Sequence, residues 1–147
     1  MNTTDFANLD CRFRSEDPAL FELSSPTPPA TDSDIISLEA ELGVRLPTDY
    51  SWFLKTYGGG EFGLLTVFSA SPDCEWYLGD KQKEMSGILP EGFLPISDDF
   101  AGGYYGILIS DGVGSSEVHY WNSDGGLVGT EFDTLLGFIG RFAYEPA

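Results

Sequence analysis

The spacing of apolar residues changes partway along the chain. Between Ile35 and Tyr57 it follows a helical period, whereas from Leu64 to Val128 apolar residues come in short runs broken by glycine and turn residues. Ile35, Leu38 and Leu42 fall at i, i+3 and i+7 and predict one apolar stripe of a helix. Thr31 or Ser33 can supply its N-cap oxygen, and Asp32 and Asp34 suit the positive end of its dipole. Gly43 follows the last periodic residue, where a left-handed C-cap is usual. Pro47 marks the start of a second helix, whose stripe is Tyr50, Phe53, Leu54 and Tyr57 and whose stop is Gly58. These residues are expected to build a core and not to touch a ligand.

The flanking segments read differently. Phe6, Leu9 and Phe13 are docking side chains in a mixed leader over residues 1–20, and Phe21-Glu22-Leu23 alternates like a short edge strand. Ser24 to Ala30, with three prolines, predicts an extended linker. Beyond the glycines, Leu64 to Phe68 reads as a buried strand, Glu75 to Leu78 as a short strand or helical turn, and Asp80 to Gly87 as a surface helix or loop. Phe93 to Ser97 is strand-like, with Pro95 marking an edge or a bulge. Gly106–Ile109 and Glu117–Trp121 flank the turn-rich Ser110–Ser116, a hairpin with a loop longer than two residues. Asn122–Gly126 is a further turn leading to Leu127-Val128. Phe132, Leu135, Leu136, Phe138, Ile139 and Phe142 have helical spacing, capped by Thr130 or Asp133. The expected fold is α+β: one antiparallel β-sheet packed against an N-terminal helical pair and a C-terminal helix, over residues 21–147.

Composition narrows the function. The 147 residues suit one sizeable core, supplied by eleven Phe, seven Tyr and three Trp. No apolar run reaches the roughly 18 residues of a membrane helix, and the N-terminus lacks the basic and apolar regions of a signal peptide. Cys11 and Cys74 form no CxxC pair, so neither a disulfide framework nor a zinc site is indicated and a cytoplasmic setting fits. Twenty-four acidic against seven basic residues leave a formal net charge of −17. Such a surface repels nucleic acid and anionic membranes and steers towards a basic partner. Solubility alone also favours an acidic surface.

The sequence resembles the SMI1/KNR4 (SUKH) superfamily. The resemblance rests on an ordered set of motifs: Leu42-Gly43-Val44-Arg45-Leu46-Pro47, Gly58-Gly59-Gly60, Leu94-Pro95-Ile96-Ser97-Asp98-Asp99, Gly102-Gly103, Val118-His119-Tyr120-Trp121 and Phe132 to Phe138. It runs from about Phe21 to Phe142, departing where Tyr57 replaces a common Asn and where Asp99-Phe100-Ala101 separates Asp98 from the glycine pair. The resemblance implies a non-enzymatic protein-binding domain. Bacterial relatives of this kind act chiefly as immunity proteins, docking an acidic face onto a basic toxin domain, often a nuclease. A fungal type regulates cell-wall synthesis and signalling as an adaptor, within longer chains bearing disordered tails.

Catalytic, cofactor and metal sites are not indicated. Asp98 and Asp99 are adjacent carboxylates, but a strand points them to opposite faces and no third ligand is suitably spaced. His119, the sole histidine, lies within a predicted strand without a nearby nucleophile. The glycine runs lack the context of a phosphate loop. For partner binding, acidic loop residues beside aromatic anchors are the candidates: Asp73, Glu75 and Trp76 in one loop, Asp98 and Asp99 in another, and Tyr104 and Tyr105 after the glycine pair. Trp76 fits a core position equally well.

Overall fold

The computed structural model describes residues 1–22 and 24–145. Helices α1 (Thr3–Glu16), α2 (Ala19–Glu22), α3 (Asp32–Leu42) and α4 (Thr48–Tyr57) come first. Strands β1 (Gly60–Phe62) and β2 (Leu65–Val67), helix α5 (Leu78–Glu84), strands β3 (Phe93–Asp98), β4 (Gly103–Ser110), β5 (Val113–Asn122) and β6 (Gly126–Gly129), and helix α6 (Leu135–Phe142) follow. The strands form one antiparallel sheet in the order β1-β2-β3-β4-β5-β6, so each pairs with its neighbour in sequence. Helices and sheet share one core, an α+β fold. Among the described residues no helix is long and apolar enough to cross a membrane.

The punctuation of α3 and α4 follows local chemistry. Thr31 accepts a hydrogen bond from the Asp34 N–H while Asp34 accepts one from the Thr31 N–H, a reciprocal capping box. Gly43 takes the left-handed C-cap at φ 66°. Pro47 is the N-cap of α4, and Ile35, Leu38, Tyr50, Phe53 and Leu54 are buried. The Tyr50 hydroxyl donates to the Phe68 carbonyl at 2.6 Å, so the one polar atom of this core ring is satisfied; burial pushes its pKa far up.

Residues 1–20 are structured. Phe6 of α1 is fully buried, with its ring against Trp52, Phe53, Tyr57 and Phe62. One turn on, the buried Asp10 accepts hydrogen bonds from Arg14 Nε and from the Tyr144 hydroxyl, both at 2.8 Å. This clasp ties α1 to the residues just after α6, and it leaves no unpaired charge in the interior.

Three local expectations are corrected, and of the two readings of Pro95 the bulge holds. Phe21 and Glu22 belong to α2 and not to an edge strand, while Leu23 lies outside the described residues. The outer edge of β1 is met instead by Ser25 to Thr27: Pro26 bridges Gly60, and the Thr27 N–H donates to the Gly59 carbonyl at 2.9 Å. A Cβ on Gly58 would overlap the Thr27 carbonyl oxygen, so the glycine run permits this close approach, and β1 starts within it. The β4–β5 connection is a tight two-residue turn, Asp111-Gly112, at φ 51° and 75°, with Ser110 paired to Val113. Both central residues at positive φ match the right-handed twist of the flanking strands, and Val113 to Ser116 extend β5. Thr134, not Thr130 or Asp133, caps α6 by accepting from the Gly137 N–H. Pro95 marks a bulge in an interior strand, where the register shifts before Ser97.

Candidate protein-binding site

Because the sheet is a sequential meander, the β1–β2, β3–β4 and β5–β6 connections all emerge at one end. Gly63-Leu64, Asp99 to Gly102 and Ser123 to Gly125 occupy that end. Two exposed apolar residues lie there, Leu64 at 56% and Phe100 at 64%, while Ile36 and Ile88 are as exposed elsewhere.

The β3–β4 loop is built by its own carboxylates. Asp98 Oδ1 accepts from the Phe100 N–H at 2.7 Å. Asp99 Oδ1 accepts from the Ala101 and Gly103 N–H groups at 2.7 and 2.8 Å, and Asp99 Oδ2 from the Tyr120 hydroxyl at 2.6 Å. Burial by itself would raise the Asp99 pKa, but these donors outweigh it and hold the carboxyl below its ordinary range. The same bond raises the Tyr120 pKa. Charge at Asp99 therefore shapes the loop as well as the surface potential.

Held between these turns, Phe100 adopts φ 58°. A non-glycine residue pays roughly 1–2 kcal/mol for that conformation, and a bulky one adopts it only where its surroundings dictate it. The ring is nevertheless mostly in solvent, with one edge-on contact to Trp76 at 5.8 Å. An exposed aromatic held in that conformation is a candidate contact, and the sequence motifs do not single it out. Its one local signal is an aromatic residue between two aspartates and two glycines.

The candidates named from sequence are partly united here. Trp76 is half-buried, meeting Phe68 on one side and Phe100 on the other. Asp98 pairs across strands with Tyr104. Tyr104 and Tyr105, adjacent in β4, point to opposite faces. Tyr104 lies against Phe68, with Lys81 Nζ 5.7 Å from its ring centre and its hydroxyl 3.7 Å from Met85 Sδ; burial raises its pKa. Tyr105 packs on Phe138, Phe142 and Tyr120, so it supports the loop from beneath. Asp73 and Glu75 are exposed in the loop before Trp76. A groove of about 230 Å³ runs beside the hairpin, floored by Leu65, Tyr105 and Phe142 and rimmed by Asp98, Asp99 and Glu145.

Charge is distributed unevenly. From Lys83 to Arg141 the sequence has no lysine or arginine between them, while Glu84, Glu91, Asp98, Asp99, Asp111, Glu117, Asp124, Glu131 and Asp133 fall in that stretch. Strands β3 to β6 lie within it. Five of the seven basic residues lie on helices and pair with carboxylates: Arg14 with Asp10, Lys55 with Asp32, Lys81 with Glu84, Lys83 with Glu41 and Arg141 with Glu145. Strands β3 to β6 thus carry carboxylates and no lysine or arginine, although Arg45 bridges Val113 beside β5 and Lys81 lies over the Tyr104 ring.

Among the described residues, no three His, Cys, Asp or Glu side chains gather in a way that could hold a metal ion. His119 is paired across strands with Gly106 and Gly129, which offer it neither a nucleophile nor an orienting acid. The arrangement can present a shaped, acidic, partly aromatic surface to a protein.

The fold defines an α+β domain, a six-stranded antiparallel sheet packed with helices around one core. A family model described as SMI1-KNR4 cell-wall matches residues 32–139, and the chain belongs to that SUKH family. Among curated proteins, none matches it. The matched region takes in α3, α4 and the whole sheet, and α1 precedes it.

Proposed function

We propose that this protein is an immunity protein, a non-catalytic domain that neutralises a cognate basic toxin domain by binding it one to one. The observation that carries this reading is the sheet without lysine or arginine beside a preorganised aromatic loop. A nuclease fits the partner class, because its phosphate-binding groove is basic. Asp98, Phe100, Trp76 and Tyr104 form the centre of the proposed contact, Asp73 and Glu75 its rim, and Asp99 and Tyr105 its support. This is the arrangement of aromatic anchors ringed by polar groups that dominates interface energetics. The protein acts in the cytoplasm, where it meets the incoming toxin.

The family description, with its reference to the cell wall, favours a second reading, a regulatory adaptor of wall synthesis or signalling. A tagged pull-down from the source cells, eluted with a salt series and read by mass spectrometry, separates the two. The immunity reading predicts a basic domain from the C-terminal end of a large secreted protein, released as salt rises. Kinases or wall-synthesis enzymes without such a domain would replace it with the adaptor.

A further inference from the structure

Strand β6 ends the sheet, and its outer edge is bare. It pairs with β5 alone, through His119–Gly129, Tyr120–Val128, Trp121–Leu127 and Asn122–Gly126. No backbone hydrogen bond outside that ladder involves residues 126–129 among the described residues. Leu127 is 39% exposed and Val128 50%. Proteins usually protect such an edge with lysine, proline, a bulge or a covering segment. Gly126-Leu127-Val128-Gly129 has none of these, although the opposite edge at β1 is covered by Ser25 to Thr27.

The charges around β6 say what suits it. Asp124 precedes it, Glu131 and Asp133 follow it, and Glu117 is exposed on β5. A second copy, itself at −17, would bring like charges onto this edge. A four-residue strand contributes few ladder bonds, so a stable pairing needs the added attraction of opposite charge.

We propose that β6 is a docking edge for an extended, lysine- or arginine-bearing segment of a partner protein, which adds to the sheet as a seventh strand. Backbone hydrogen bonds hold the segment, and its basic side chains meet the acidic residues at either end of β6. The inference rests on the reading that the acidic sheet faces a basic partner, but its test needs no toxin.

The test is a titration of the isotopically labelled full chain with an end-capped peptide of alternating lysine and valine, followed by amide shifts and amide exchange. Two controls accompany it: a peptide of equal charge with proline in place of valine, and one with glutamate in place of lysine. The expected result is shifts and slowed exchange centred on Gly126–Gly129 with the lysine–valine peptide alone. Raised salt should weaken binding, and Val128→Lys should weaken it roughly tenfold without changing the melting temperature. Equal response to the proline peptide would mean charge attraction without strand pairing and would overturn the proposal. So would changes confined to the helices, no binding, or concentration-dependent self-association through β6. Failure here with a basic toxin recovered by pull-down would remove only the docking edge. Strand addition with no toxin recovered would leave the edge standing and remove the immunity reading.

Discussion

The two edges of the sheet are treated in opposite ways. At β1 the chain folds back, and Pro26 and Thr27 occupy the edge with a bridge to Gly60 and a 2.9 Å hydrogen bond to Gly59. The Ser25 N–H adds a bond to Glu61 Oε2 at 2.8 Å. At β6 none of the described residues pairs with the outer edge, apolar side chains are exposed, and carboxylates lie at both ends. The closed edge depends on backbones approaching so closely that only glycine fits, whereas at the open edge Gly129 has free space around it. One side of the molecule is built for stability, and the other is left available.

Substitutions can break this contrast, and the largest effect is expected at the closed edge. Gly58→Ala would place a Cβ on the Thr27 carbonyl while holding φ at 88°, and should cost roughly 2–4 kcal/mol. Thermal denaturation should show a fall on the order of 10 °C. Asp99→Ala, in the hairpin between the two edges, removes an acceptor from two backbone N–H groups and the Tyr120 hydroxyl. Chemical denaturation should register a loss of about 2 kcal/mol. Because folding lowers the Asp99 pKa, its contribution is present above the unfolded value of 3.8 and fades as pH falls through the folded value. Asp99→Asn should therefore flatten the acid limb of the stability curve below about pH 4 relative to wild type.

Smaller effects sharpen the contrast. Phe100→Gly relieves the left-handed strain, so stability should hold or rise by up to about 1 kcal/mol. Affinity for the captured partner should nonetheless fall tenfold or more, a loss of binding without a loss of fold. At the open edge, Gly129→Ala meets no atom within 4 Å, and its stability should stay within about 0.5 kcal/mol of wild type. Equal losses for Gly58→Ala and Gly129→Ala would erase the difference between the edges.

What could be read from sequence followed the range of the interactions. Helices α3 and α4 were legible because period, cap and stop lie within a few residues: Thr31 with Asp34, Gly43, Pro47 and Gly58. Asp111-Gly112 carried a hairpin signal too, but the serines after it disguised the turn as a longer loop. Three alternating residues at Phe21 were too few to define a strand. The leader showed Phe6, Leu9 and Phe13, yet what fixes α1 is Phe6 in a distant ring cluster and Asp10 bonded to Tyr144, contacts that sequence spacing does not reveal.

The candidate surface divides in the same way. Asp98, Asp99 and Trp76 could be named as acidic and aromatic residues near one another in sequence. That Tyr104 and Tyr105 part to opposite faces follows from the strand period. Phe100 needed the backbone, since its left-handed φ goes with hydrogen bonds from the Phe100 and Ala101 N–H groups to the preceding carboxylates of Asp98 and Asp99.

The most direct measurement is the dissociation constant of the captured basic domain across a salt series, for wild type and for Asp98→Asn with Asp99→Asn. Asparagine keeps an acceptor oxygen for the loop and removes the charge. The account predicts steep weakening with salt for wild type, with weaker binding and a shallower slope for the double variant. An affinity that ignores salt and is unchanged by the double substitution would contradict it.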